Sequence, residues 1–197
     1  MTVRPVGWGA KLVELASAGE VRAAYRRLVG LPGLTEVVPA ARTVLIEGDP
    51  LPDTNELAAL LADLDEEPPA DGPAVELPVT YDGPDLDEVA ELTGLAAAEV
   101  ARRHAGADYV VAFCGFAPGF GYLTGLPPEL HIARRRTPRT AVEPGSVGIA
   151  GEYAGVYPRR SPGGWHLLGR TDAALWDPDR DPPALLAPGT RVRFLPA

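Results

Sequence analysis

Apolar residues recur at two different spacings along the first part of the chain. "TVRPVGW" and "KLVELA" read as short half-buried strands, while "AGEVRAAYRRLVG" repeats its apolar positions every three to four residues and stops at Gly30, as an amphipathic helix does. "LTEVVPAARTVLIEG" predicts two β-rich runs joined near Pro39. "DTNELAALLADL" predicts a second helix, with Asp53 or Thr54 placed to cap its free N–H groups. An acidic, proline-rich break, "DEEPPADGP" at 65–73, precedes a further strand, "AVELPVTY". A β–α–β–β–α–β order of this kind predicts a small ferredoxin-like α+β domain over residues 1–80, with the break as a loop inside it.

The pattern changes after Tyr81. "YDGPDLDEVAELTGLAAAEVARRHAG" reads as two short helices, the first starting at Pro84 and Asp85 and the turn falling at Thr93–Gly94. The spacing resembles a helix-turn-helix, but Arg102 and Arg103 are the only basic residues of the second helix. A helical connector packed on the following domain is the expectation. From Ala107 the chain is rich in turns: eleven of the 22 glycines lie between Gly115 and Gly169, with prolines interleaved. "DYVVAFCGF", "SVGIAGEYAGVYP", "GWHLLGRT" and "RVRFLP" are the strand candidates. Short strands so closely punctuated predict a closed or nearly closed β-barrel over residues 81–197.

Composition narrows the function classes. Apolar residues make up 46% and charged residues 23%, ordinary for a globular protein, and no apolar run reaches the ~20 residues of a membrane span. The N-terminus lacks a signal-peptide layout, which predicts a cytoplasmic protein with no membrane role. Cys114 is the single cysteine, so neither an internal disulfide nor a cysteine metal cluster is available. The three histidines form no H-x-x-x-H or H-E-x-x-H pattern, and no metal site is expected. A net charge of -9 argues against nucleic acid. Yet between His131 and Arg170 seven arginines face two acids, 7 - 2 = +5, a basic island in an acidic chain.

That island holds the candidate chemistry. "RRRTPRT" (134–140) sets four arginines in six residues, and alternation in an extended segment would point Arg134 and Arg136 one way and Arg135 the other. Arginine's planar fork suits a carboxylate or a phosphate, although a solvated edge or a face for an acidic partner would use the same residues. "FCGFAPGFGYLTGLP" (113–127) lacks the lysine and hydroxyl of a phosphate loop; it reads either as close backbone approach to a ligand or as a β-corner with its aromatics in the core. Cys114, mid-strand, reads as a buried structural thiol. A triad of Ser146 or Ser161 with His166 is compatible with the spacing, but no G-x-S-x-G elbow singles out an activated serine. In "SPGGWHLLGRT" the glycine pair predicts a turn into a strand, with Trp165 and His166 on opposite faces and Arg170 on the histidine's side.

Four of these segments in series, "GFAPGFGYLTGLP", "RRRTPRTAVEPGSVGIAG", "GVYPRRSPGGWHLLGRT" and "LWDPDRDPPALLAPGTRVRF", resemble the allophanate hydrolase subunit 1 family, whose members include the B subunit of 5-oxoprolinase and the sporulation kinase inhibitor KipI. The resemblance implies an α+β fold, with a ferredoxin-like N-terminal domain followed by a cyclophilin-like β-barrel. It implies a subunit of a hydrolase complex that opens 5-oxoproline to L-glutamate with ATP. Its partners would be a homologue of subunit 2, the C subunit of 5-oxoprolinase, itself cyclophilin-like, and a third 5-oxoprolinase subunit, with the ATP site shared or on another subunit. The alternatives it carries are a KipI-like inhibitor of a histidine kinase, or subunit 1 of an allophanate hydrolase or urea carboxylase system with a carboxyltransferase domain.

Positions matching the family pattern are Gly119, Tyr122, Arg136, Pro138, Arg139, Ser146, Gly148, Tyr157, Ser161, Gly163, Gly164, Trp165 and Arg170. His166, where glutamine is more usual, and Cys114, where an aliphatic residue is, depart from it. The candidates for substrate or anion binding are therefore Arg136, Arg139, Ser146, Tyr157, Ser161, Gly163, Gly164, Trp165, His166 and Arg170. Arg136, Arg139 and Arg170 are expected to hold the anion, with backbone N–H groups near Gly163–Gly164 assisting. No catalytic residue is assigned.

Overall fold

The computed structural model describes residues 1–64 and 74–197, in two compact units, Met1–Pro68 and Pro69–Ala197. The proline-rich break at 65–73 lies outside the described residues.

The first unit runs β1 (Thr2–Val6), β2 (Ala10–Glu14), α1 (Ala18–Leu28), β3 (Leu34–Pro39), β4 (Thr43–Gly48) and α2 (Thr54–Leu60). Its sheet has the order β1-β2-β4-β3, antiparallel throughout. Ser17 starts α1 by accepting the Glu20 N–H on its side chain. Asp53 starts α2 through a reciprocal capping box with Glu56, a device worth about 1 kcal/mol. Val44 and Ile46, two residues apart on one face of β4, meet Val21 and Leu28 of α1 and Leu57 of α2 in the core.

The β2–α1–β3–β4–α2 run follows the expected order, but the sixth element of a ferredoxin-like layer does not join this sheet. The edge beside β2 is occupied by β1 instead. β1 and β2 are linked by only Gly7, Trp8 and Gly9, with Gly7 at φ +59°. So short a hairpin loop closes at lower entropic cost than a strand returning across the proline-rich break.

The expected sixth strand, β5 (Val75–Val79), pairs in parallel with the last strand, β13 (Arg191–Pro196), and belongs to the second unit. The domain boundary expected at residue 80 therefore moves to the N-terminal side of β5. Leu77 and Val79 explain the choice, since both are buried in the second unit's core beside Phe194.

The remaining elements of this unit are α3 (Leu86–Thr93), α4 (Ala97–Ala105), β6 (Tyr109–Cys114), β7 (Gly121–Thr124), β8 (Arg139–Val142), β9 (Ser146–Ala150), β10 (Tyr153–Val156), β11 (Ser161–Gly163) and β12 (His166–Arg170). Seven strands form one sheet in the order β12-β9-β10-β7-β6-β13-β5, and β8 pairs separately with β11. Thr80 and Arg170 exchange two backbone hydrogen bonds of 2.9 Å, drawing the two edges of the large sheet together into a nearly closed barrel. Gly169 makes that approach possible, because a Cβ there would stand 2.3 Å from the Thr80 carbonyl oxygen.

Val111, Leu123, Ile149, Val156 and Leu168 fill the barrel, and Val89 of α3 and Val100 of α4 pack against the same core. The two helices are joined at Gly94, whose φ of +69° ends α3 in the left-handed conformation. They serve as packing elements of the barrel unit.

Candidate functional site

The segment 133–139 runs past α3 and the start of β12. Its backbone is tied to the glycine pair by the Arg135 N–H, which donates to the Gly164 carbonyl at 2.8 Å. Alternation then divides the arginines as the extended pattern predicts. Arg135 turns toward α3, whereas Arg134 and Arg136 are exposed.

What receives Arg135 is Asp85, which the sequence marks only as a helix start. Asp85 stands at the N-terminus of α3 but makes no side-chain capping bond. One carboxylate oxygen accepts from Arg135 Nη1 at 2.7 Å and from Arg139 Nη2 at 2.6 Å, and the other accepts from the Leu167 N–H at 2.7 Å. Burial of this 2%-exposed carboxyl would raise its pKa. The Arg139 and Leu167 hydrogen bonds, with the charges of Arg139 and Arg135, outweigh burial and hold it below the ordinary aspartate value. Glu88, one turn along α3, takes a second bond from Arg135. Arg135 and Arg139 are thus balanced by two acids. Arg139, expected to hold a ligand, instead pins the segment to α3.

Arg134 and Arg136 have no hydrogen bond or ion pair among the described residues. Both line a cleft of about 470 Å³ together with Glu88, Leu92, Ile132, Ala133, Arg135, Thr137 and His166. His166 is 3% exposed and its Nε2 lies 3.1 Å from the Ala133 carbonyl oxygen. A carbonyl only accepts, so Nε2 carries the proton and Nδ1 of the neutral ring keeps its lone pair. Nδ1 is buried, has no hydrogen-bond partner, and lies 3.8 Å from Glu88 Oε2. The cleft can therefore offer two unspent guanidinium forks and, deeper in, a hydrogen-bond acceptor.

Most of the remaining candidates gather in a neighbouring recess of about 80 Å³, lined by Phe116, Phe120, Tyr122, Arg134, Tyr157, Gly163, Gly164 and Trp165. Phe120 meets Trp165 and Tyr157 edge-on, each at 5.4 Å between centroids. Gly163 must be glycine, since a Cβ would sit 2.4 Å from the Tyr157 hydroxyl oxygen. Burial raises the Tyr157 phenol, and a backbone hydrogen bond with Trp165 partly opposes this. Arg134 borders both recesses.

Trp165 and His166 do face opposite ways, Trp165 into the aromatic cluster and His166 toward the cleft. Arg170 does not share the histidine's site. Pairing of β12 with β9 shifts between Leu167 and Gly169, which breaks the alternation. Arg170 ends in a separate recess with Pro78, Thr80 and Asp172, its guanidinium 3.0 Å from Asp82. The Ser146 and Ser161 hydroxyls donate to the carbonyls of Glu143 and Arg159, at 2.7 and 3.3 Å, and neither is bonded to His166. The Cys114 thiol, raised by burial, points at the Leu186 carbonyl 3.2 Å away. Sequence reasoning missed Asp85, Glu88, Leu92, Ile132, Ala133 and Thr137. Asp85 lies 50 and 54 positions from its arginines, and no local pattern signals such a pairing.

A two-unit chain whose barrel presents a basic cleft beside an aromatic recess is matched by one family description over residues 1–186: the chain belongs to the carboxyltransferase domain, subdomain C and D, family. Among its relatives, the 5-oxoprolinase B subunit of Escherichia coli O157:H7 is 44% identical over 194 residues, covering 93% of this chain and 88% of that protein. The 5-oxoprolinase B subunit of Bacillus subtilis (strain 168) is 38% identical, covering 88% and 80%. The crystal structure of TTHA0988 superposes with a TM-score of 0.82 at 38% identity over 100% of this chain, which spans only 41% of that longer protein.

Proposed function

We infer that the chain is the B subunit of an ATP-dependent 5-oxoprolinase that opens 5-oxoproline to L-glutamate together with partner subunits. The support from relatives is two proteins named as 5-oxoprolinase B subunits, each matched over four fifths or more of its length. The observation in the fold that carries the reading is the cleft in which Arg134 and Arg136 remain uncommitted beside the buried His166. Opening a lactam develops negative charge on a substrate already bearing a carboxylate, and aimed guanidinium groups serve both demands.

ATP is the energy source in this reading, and the glycine loop at 115–121 does not fit a nucleotide-phosphate cradle. In "GFAPGFG", a Cβ on Gly119 would stand 2.9 Å from Trp176 Cβ, and one on Gly121 would stand 3.2 Å from Val111. These glycines serve contact with the protein itself and do not open a phosphate loop. We therefore place the ATP site on another subunit, and we assign as partners a cyclophilin-like homologue of the 5-oxoprolinase C subunit and a third subunit. The barrel of this chain is read as cyclophilin-like in the same proposal. No helix among the described residues is long and apolar enough to cross a membrane, and the cytoplasm, where ATP is available, is the proposed location.

The test is reconstitution of the three subunits with an assay for 5-oxoproline-dependent ATP hydrolysis and glutamate release. Turnover is expected from the complete assembly and not from this chain alone. Full turnover by the isolated chain, or none by the assembled complex, would refute the reading.

A further inference from the structure

We propose that the cleft selects a small acid carrying a ring N–H beside its carboxylate: Arg134 and Arg136 hold the carboxylate, and His166 Nδ1 accepts the N–H. The proposal rests on the 5-oxoprolinase reading for the choice of probe, but its geometry belongs to this chain. The Ala133 carbonyl selects the Nε2–H tautomer of the neutral His166 ring, in which Nδ1 is a buried acceptor without a partner. A buried polar atom left unpaired is costly, and a donor brought by a ligand removes that cost. Glu88 Oε2, 3.8 Å from Nδ1, adds a second acceptor on the same side of the cleft. Its charge is neutralised by Arg135, so it does not cancel the attraction of the two free arginines. Leu92 and Ile132 give the cleft an apolar wall for ring methylenes.

This arrangement distinguishes a lactam from the corresponding lactone. In 5-oxoproline the ring N–H meets the Nδ1 lone pair. In 5-oxotetrahydrofuran-2-carboxylate a ring oxygen replaces the N–H, so two lone pairs face each other and the carboxylate contacts alone remain.

Binding of both compounds to the full chain, measured by titration calorimetry or ligand-observed NMR, tests the idea. 5-Oxoproline should bind tighter than the lactone by about tenfold or more. His166→Leu should abolish that preference while the lactone still binds, and His166→Gln, whose amide oxygen also accepts, should keep it. Arg136→Ala and Arg134→Ala should weaken both ligands alike. Equal affinity of the unaltered protein for the two compounds would overturn the proposal without recourse to any variant. So would absence of saturable 5-oxoproline binding, or equal weakening of both ligands in His166→Leu. An active reconstituted complex with no lactam preference in this chain rejects the site and leaves the function standing. Selective lactam binding with an inactive complex rejects the function and leaves the site standing.

Discussion

Replacing Asp85 by alanine should unfasten the segment 133–139 from the barrel. The carboxylate is 2% exposed and receives Arg135, Arg139 and the Leu167 N–H. Its loss leaves two guanidinium groups, each on a side chain 26% exposed, facing a gap, and strands a backbone donor at the start of β12. Breaking a buried pair from one side costs about 3–5 kcal/mol. Arg135 retains Glu88 and both arginines reach some solvent, so the lower end, about 3 kcal/mol, is expected. For a unit of this size that corresponds to a Tm lowered by roughly 10 °C.

Melting curves of the Asp85→Ala and Arg139→Ala proteins and of the double variant measure it. The double variant should lose less than the sum of the singles by about 1–3 kcal/mol. The pH dependence has a fixed sign. A carboxyl held below its ordinary value stabilises the native state above the unfolded pKa, and that stability disappears as pH falls through the lowered native value. The difference between the unaltered protein and Asp85→Ala should therefore be constant above about pH 5 and shrink below about pH 4. A melting point within about 2 °C of the unaltered protein, or strictly additive singles, would refute the reasoning.

Three further outcomes follow from the barrel unit. His104 is fully buried with its pKa pulled from 6.5 to about 3 by burial, so the native state takes up fewer protons than the unfolded chain between those values. Stability should fall as pH drops below about 6.5, by up to about 5 kcal/mol, and the His104→Leu/Tyr81→Phe pair, which removes the ring and its 2.7 Å partner together, should flatten that limb in urea titrations; an unchanged limb would contradict this. Gly169→Ala should cost more than about 3 kcal/mol and speed hydrogen exchange at Thr80 and Arg170, because its methyl would meet the Thr80 carbonyl, whereas Gly9→Ala, whose nearest neighbour is 4.0 Å away, should be mild; equal effects would count against the closure argument. The Cys114 thiol, raised by burial, should react with a disulfide reagent at least about tenfold slower than free glutathione at neutral pH, and equal rates would show it exposed.

Much of the secondary structure is legible in the sequence. Helix α1, the capped start of α2, the turn at Gly94 and the strands around "YVVAFC", "SVGIA" and "RVRFLP" lie where the spacing of apolar residues and the Gly and Pro punctuation put them, whereas the Ser17 cap of α1 was not read from the sequence. β7, β8 and β11 were not legible as strands, because each is only three or four residues long and glycine, proline or arginine obscures its alternation. The partner of β5 was not legible either. "VELPV" suits a half-buried strand in either unit, and its choice of β13 is settled by a pairing with residues more than a hundred positions later.

The candidate site divides in the same way. Composition and spacing located a basic island beside aromatics and glycines, and alternation determined that Arg134 and Arg136 would part from Arg135. Only the tertiary structure decided which arginines are free. The decision lies with acids far away in the chain: Asp85 and Glu88 consume Arg135 and Arg139, and Asp82 consumes Arg170. A bulge in β12 then separates Arg170 from His166. The physical reason is that local sequence sets conformation and which way a side chain points, whereas a charge is spent or left available by whatever the folded chain brings within hydrogen-bond reach of it.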